Sequence, residues 1–495
     1  MTMSDVHRIP KSDYLMLLPI LALAFYIAFI PHYNYPYPLH VDEWGHLAYS
    51  KALMSAGDVT FSGIFFGSFM LEAGFHLFWG VFQSISGISW LDIFRYFPSI
   101  IFIITVLSVY ILAQRQGFGW EAALFTCLIP TTVGILGPAF MVPMAMGLLF
   151  IPLSLFLAFN FRSAWSYLLI FIFTCFLLSI HAATAVGLVI ILVPYILLNL
   201  KGNFKHSLGI TLALAIPFLV PFPWIFSMLL PTAKSLFTPH PLPEYVQIPR
   251  VIETYGYLPI LLCLLGTFLL AIRGGKKSYG LILGLLALLV MLVIHYTFDY
   301  GVEIMYFRGL TYMMLLISIV AGAGLMAVKN LRLPARLSTR LRAPLITQNI
   351  GKFLCLALIG LTLAIAIPDR QDTPYYHTID RQDYQAFVWI KENVDDEHKK
   401  GILDPWKATA FIAIAEKNAY TRIHEYPKPI DDEAYNFLRG GCTDTTFLRE
   451  NGISIVYTRV YEWGQNRTIE YSSDNPDLTE VRKNIYLLEE TLPGE

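Results

Sequence analysis

Repeated apolar runs, each of about 17 to 25 residues, leave the first three quarters of this chain one way to fold. They must be helices that cross a membrane, because only helices of that length satisfy their own backbone in a hydrocarbon layer. Such runs fall at about 14–30, 96–113, 120–137, 141–159, 165–180, 182–200, 208–229, 254–272, 278–296, 308–328 and 352–368. Eleven spans are therefore expected. A further apolar stretch, 61–86, carries Glu72, His76 and several glycines and is read as juxtamembrane or re-entrant. With 56% hydrophobic and 14% charged residues, the composition does not suit a soluble globule.

Charge is segregated along the chain. Of its 71 charged residues, 39 lie from Asp369 onward. The expected fold is thus mainly α: a multispanning membrane domain over 1–368, with a first exterior loop at 31–94, followed by a small exterior α/β domain over 369–495. A net charge of -1 leaves no basic surplus for a phosphate backbone, so nucleic acid is not an expected partner. Cys127, Cys175, Cys263 and Cys355 fall in apolar runs, leaving Cys442 by itself. Neither a disulfide framework nor a cysteine metal site is expected. No cleavable signal is expected either, since no small-residue cleavage site follows the first apolar run.

Orientation follows from the basic residues. Arg8 and Lys11, Arg115, Arg162, Lys201 with Lys205, Arg273 with Lys276 and Lys277, and the cluster of Lys329, Arg332, Arg336, Arg340 and Arg342 all fall on one side if there are eleven spans. The positive-inside rule makes that side cytoplasmic. The expectation is a multi-pass plasma-membrane protein with a cytoplasmic N-terminus and an exterior C-terminal domain. No acidic or basic residue sits near the centre of a span, which disfavours an ion-coupled transporter.

The chemistry-bearing segment follows the first span: His40-Val41-Asp42-Glu43-Trp44-Gly45-His46, continuing into a short helical pattern that ends at Gly57-Asp58. Two adjacent carboxylates there could hold a metal or abstract a proton. Equally, they could oppose the macrodipole of a helix N-terminus. His40 and His46 flank them and could suit a divalent ion, or be satisfied loop histidines. Glu72 and His76 lie in the same exterior region. Tyr33, Tyr35, Tyr37 and Trp44 are most simply an interfacial aromatic belt.

This loop resembles that of the GT-C membrane glycosyltransferases that use polyprenyl-phosphate sugars, such as the protein mannosyltransferases and the lipid A aminoarabinose transferase. The shared features are the Asp-Glu pair in the first exterior loop, the small helix and the Gly57-Asp58 that closes it. Weaker matches are Arg95-Tyr96-Phe97-Pro98-Ser99 leading into the second crossing, Tyr306-Phe307-Arg308-Gly309-Leu310 opening a late span, and Ala386 to Asn393 followed by Leu403-Asp404-Pro405, which is similar to the start of the exterior domain in oligosaccharyltransferase-like members. The family's Lys-Pro pair after the first loop is missing, and Glu72-Ala73-Gly74-Phe75-His76 lies roughly in its place. The WWDYG signature of oligosaccharyltransferases is also absent, which favours transfer of a single sugar.

The resemblance implies an enzyme that moves a sugar from a polyprenyl-phosphate donor to a protein, lipid or glycan acceptor. It makes Asp42 the catalytic base or a metal ligand, with Glu43 beside it. A cation on the leaving phosphate is also needed: Arg308, with Lys51 and Arg95 in reserve. His40, His46, Glu72, His76, His181, Asp299 and Glu303 are candidate sugar, acceptor or metal contacts. No cofactor is certain from the sequence, and Mg2+ or Mn2+ is the candidate ion. Membrane lipids complete the expected partners. The competing expectations are a flippase of lipid-linked glycans and a non-catalytic assembly subunit. Asn466-Arg467-Thr468 is a glycosylation sequon.

Overall fold

The computed structural model describes residues 11–57, 72–132, 135–220, 237–239, 248–332, 344–370, 377–423 and 427–489. Helices run in the order α1 (Lys11–Phe29), α2 (Val41–Ala56), α3 (Ala73–Ser86), α4 (Trp90–Gln114), α5 (Gly119–Thr126), α6 (Pro143–Leu148), α7 (Phe150–Asn160), α8 (Ala164–Ile180), α9 (Ala182–Leu200) and α10 (Phe204–Leu219). They continue with α11 (Ile248–Tyr255), α12 (Tyr257–Arg273), α13 (Lys276–Phe298), α14 (Glu303–Lys329), α15 (Pro344–Asp369), α16 (Arg381–Asn393), α17 (Ala408–Ala415), α18 (Pro429–Arg439) and α19 (Thr445–Glu450). The chain divides into two compact units: Met1–Asn34 with Tyr96–Thr373, and Tyr35–Arg95 with Pro374–Glu495.

The first unit is helical. Among the described residues the chain has seven helices long and apolar enough to cross a membrane, or up to eight if the bent pair α11 and α12 counts as one span. Eleven full-length spans are thus not confirmed among the described residues. The run at 120–137 is helical only to Thr126, and α8 and α10 are apolar but have 17 and 16 residues. Residues 221–229 of the 208–229 run lie outside the described residues, as do Arg8, Asp58 and the 61–71 part of the 61–86 stretch.

Helix α14 is the centre of this unit. It is buried along nearly all of Tyr306 to Leu325, which is why its sequence is apolar on every face. Its contact with α12 rests on two glycines facing each other. A Cβ on Gly266 would lie 2.0 Å from the Val320 carbonyl, and one on Gly324 would lie 2.1 Å from that of Leu262. Small residues that let two backbones meet are how helices associate where water cannot drive them. Between α5 and α6 the backbone is irregular yet buried, and side chains satisfy it. Thr131 Oγ1 accepts from the Ala139 N–H at 3.0 Å, and Thr311 Oγ1 of α14 donates to the Ile135 carbonyl at 3.0 Å. Non-helical backbone at membrane depth requires such partners.

The second unit joins the first exterior loop to the C-terminal residues. Strands β1 (Lys400–Ile402), β2 (Asn418–Ala419), β3 (Ile455–Tyr457), β6 (Leu478–Arg482) and β7 (Ile485–Leu488) form a sheet in the order β2-β1-β3-β7-β6. Its β1 contacts are parallel and the remaining pairs antiparallel, so the sheet is mixed. Strands β4 (Arg459–Glu462) and β5 (Arg467–Glu470) make a separate hairpin. Helix α2 packs on α3 and α17. Trp44 is fully buried, and truncating it to Ala should cost about 3 to 5 kcal/mol.

Tyr35 is anchored in the same body. Its hydroxyl donates to the Ile379 carbonyl at 2.7 Å and receives the Ile379 N–H at 3.2 Å, while Tyr37 stacks on Tyr384 at 4.9 Å between ring centroids. Tyr35, Tyr37 and Trp44 are therefore core residues. Only Tyr33, 70% exposed, keeps the surface position expected of an aromatic belt.

Candidate functional site

Local sequence sets the N-terminus of α2. His40 is the N-cap, in extended conformation, and its Nδ1 accepts the Asp42 N–H at 3.2 Å. Glu43, at the third helical position, folds back so that its Oε2 accepts the N–H groups of Leu39 at 2.6 Å and His40 at 3.2 Å. This is a capping box with histidine where serine or threonine is usual. The His40 nitrogen that receives a backbone proton cannot itself carry one. Its 3.7 Å approach to Asp42 Oδ2 is therefore a polar contact and not an ion pair.

The capping box separates the two carboxylates. Glu43 is fully buried, and its Oε2 is committed to the helix end. Asp42 keeps a side chain 21% exposed at the positive end of α2, where a carboxylate is favoured. The helix ends at Gly57, whose φ of +65° lets its N–H close onto the Leu53 carbonyl at 3.0 Å, the left-handed cap that glycine adopts without penalty.

One turn beyond Asp42 stands His46, and α3 brings Glu72 and His76 to it. His46 Nδ1 lies 3.8 Å from Glu72 Oε2, and the two imidazole rings are 5.3 Å apart between centroids. Ligand-type atoms of His46, Glu72 and His76 all lie within 4.8 Å of one another. His76 is buried. Burial first, and the neighbouring His46 second, hold its imidazole well below the usual histidine range, so it is neutral at physiological pH.

Lys51 turns away from this cluster. Its Nζ donates to the Ala413 carbonyl at 3.0 Å and reaches Glu416 at 3.6 Å. Its ammonium thus faces α17 and Glu416. Ala48, Lys51, Ala52, Ser55, Ala413 and Glu416 line a cavity of about 340 Å³ between α2 and α17. Arg95 is half-buried in the second turn of α4.

In the helical unit, Arg308 lies in the second turn of α14. Its Nε is buried and makes no hydrogen bond among the described residues. The other residues expected nearby have structural duties. Asp299 has φ +58° and ends α13, its N–H on the His295 carbonyl at 2.9 Å, and Glu303 is exposed in the first turn of α14, opposing its dipole. His181 is the N-cap of α9, accepting the Thr184 N–H at 3.2 Å. Thr184 in turn meets the Tyr312 hydroxyl at 2.8 Å. Tyr312 stands one turn after Arg308 on α14, and its place in this chain was not legible because its partners lie 128 residues away. Ser50 was missed too, although it lies one turn after His46 and could have been found from the helical period.

No protein-family model matches the sequence, and no curated protein matches it. Solved structures do. The oligosaccharyltransferase of Archaeoglobus fulgidus in its apo form superposes with a TM-score of 0.65 at 12% identity, over 90% of this chain and 69% of that one. The same organism's AglB in complex with an inhibitory peptide and a dolichol-phosphate gives 0.63 at 11% identity, over 91% and 69%. ArnT from Cupriavidus metallidurans bound to undecaprenyl phosphate gives 0.54 at 12% identity, over 91% and 96%. All three are GT-C membrane glycosyltransferases. The chain therefore has the GT-C fold and is a multi-pass membrane protein.

Proposed function

We propose that this chain transfers a sugar from a polyprenyl-phosphate donor to an acceptor on the exterior face of the plasma membrane. The observation that carries the reading is the asymmetry of the Asp-Glu pair: a buried Glu43 capping the helix stands beside a partly exposed Asp42 at the same N-terminus, on a fold shared with proteins described in complex with lipid phosphates. Asp42 takes the proton of the acceptor nucleophile. The acceptor atom bonds to the anomeric carbon, the bond from that carbon to the phosphate oxygen breaks, and polyprenyl phosphate leaves. A positioned base of this kind contributes about 10²- to 10⁴-fold in rate.

Arg308 takes the leaving phosphate. A guanidinium suits phosphate oxygens in a bidentate manner, and its buried Nε is a donor in need of an acceptor. A divalent ion such as Mg2+ or Mn2+, where bound with the donor, would neutralise phosphate charge. The cytoplasmic N-terminus and exterior C-terminal domain belong to the same proposal, supported by the placement of basic residues. The test is release of polyprenyl phosphate from a panel of polyprenyl-phosphate sugars by the purified chain. Release that depends on an added acceptor supports the reading, and no release from any donor opposes it.

A further inference from the structure

Helices α2 and α3 bring together a cluster of metal-ligand-type side chains, His46, Glu72 and His76. Ser50 Oγ carries a single hydrogen and spends it on the His46 carbonyl at 2.8 Å. In the tautomer whose Nδ1 donates to Ser50 Oγ across their 3.3 Å contact, the His76 imidazole keeps its lone pair on Nε2. That is the state a metal-binding histidine needs, with its second nitrogen oriented by a neighbouring oxygen. Glu72 and His76 are four residues apart at the start of α3, and His46 comes from α2 with Nδ1 3.8 Å from the Glu72 carboxylate.

The spacing fits. A tetrahedral ion with bonds of about 2.0 to 2.1 Å has ligand atoms about 3.4 Å apart, and the three groups here lie within 4.8 Å of one another. Side-chain rotation of two ligands on adjacent helices spans a difference of that size.

We propose that His46, Glu72 and His76 form a divalent-metal site for an ion of the zinc class. Two imidazoles and one carboxylate suit borderline ions, whereas Mg2+ prefers oxygen ligands and its own waters. Three protein ligands leave one coordination position open to water or another small donor. The ion would pin α3 to α2 one turn beyond Asp42 and so fix the helix that carries that carboxylate. Without an ion, the same residues would make a His46–Glu72 pair packed on Phe75 and His76.

Direct metal measurement tests this independently of any sugar transfer. The full-length chain is purified, stripped with chelator, dialysed against Zn2+ alone at neutral pH, and its metal content determined by mass spectrometry alongside its thermal unfolding. One zinc per chain and a raised unfolding temperature are expected, with no comparable uptake of Mg2+. His46→Gln and Glu72→Gln, both at partly exposed positions, should each weaken zinc binding at least tenfold, and Ser50→Ala should weaken it by about 10- to 100-fold. Asp42→Asn should still take up one zinc. Failure of the wild-type chain to retain zinc, equal uptake of Mg2+, or unchanged zinc affinity in both Gln variants would overturn the site.

Discussion

Lys51 Nζ donates to the carbonyl oxygen of Ala413 at 3.0 Å, across 362 residues of sequence. The bond joins the helix that carries Asp42 to the C-terminal α/β fold, and burial draws the Lys51 ammonium below the ordinary lysine range while Glu416 opposes that shift. Glu416 is 42% exposed, so the ion pair itself contributes little, and the bond to the carbonyl is the larger part. Lys51→Met, which keeps the stem and removes the donor, should cost about 1 to 2 kcal/mol. Faster hydrogen exchange along α2 than in wild type is the expected readout.

Acid should loosen the same unit through Asp380. Burial raises this carboxyl, but the hydrogen bonds and charge of Arg459 outweigh burial and hold it at about 2, below its ordinary 3.8. Between those values the unfolded chain binds a proton that the folded chain refuses. The stabilisation is present above pH 3.8 and is lost as pH falls toward 2. With the side chain 49% exposed, solvent screening leaves about 1 kcal/mol or less. Asp380→Asn keeps the cap bonds to Gln382 and Asp383 and loses the charge, so it should be less stable than wild type at pH 7 and equal to it at pH 2 in thermal unfolding.

For Arg308, binding of purified variants to polyprenyl phosphate is the measurement. A charge-assisted contact of about 1.5 to 3 kcal/mol corresponds to roughly 10- to 150-fold in affinity. Arg308→Ala should lose that much, and Arg308→Lys should recover only part because the planar fork is gone. Unchanged affinity in Arg308→Ala would send the phosphate role to Arg95.

The exterior placement of the C-terminal unit can be read with thiols. Cys442 is buried, and burial, with Asp474 nearby, pushes its thiol up to about 12, so the native residue should resist labelling until the chain is denatured. A cysteine at Lys483, whose side chain is 70% exposed, should react with an impermeant reagent on intact cells. Protection of Lys483→Cys until the cells are opened would reverse the orientation.

Much of this arrangement was legible where the deciding neighbours are close in sequence. Helix α2 begins after His40 and stops at Gly57 because a capping box and a left-handed glycine need only a few adjacent residues. The macrodipole alternative for the Asp-Glu pair, carried alongside the catalytic one, describes Glu43 well. What stayed hidden depends on distant partners. Tyr35 and Tyr37 read as interfacial aromatics because Ile379 and Tyr384 lie about 340 residues on, and the contact of Lys51 with Ala413 stayed hidden because it spans 362 residues. Hydropathy could not show that the 120–137 run breaks after Thr126, since buried irregular backbone is as apolar as a helix and its stabilising hydroxyl comes from Thr311 on α14.

Asp42→Asn bears most directly on the proposed chemistry, because the amide keeps the shape and the backbone cap while removing the base. The measurement is transfer of sugar from a polyprenyl-phosphate donor by the purified variant, beside its thermal unfolding and its affinity for polyprenyl phosphate. Transfer should fall by at least about 10²-fold with unfolding and lipid-phosphate affinity nearly unchanged. Wild-type transfer by Asp42→Asn would contradict the assignment of Asp42 as the catalytic carboxylate.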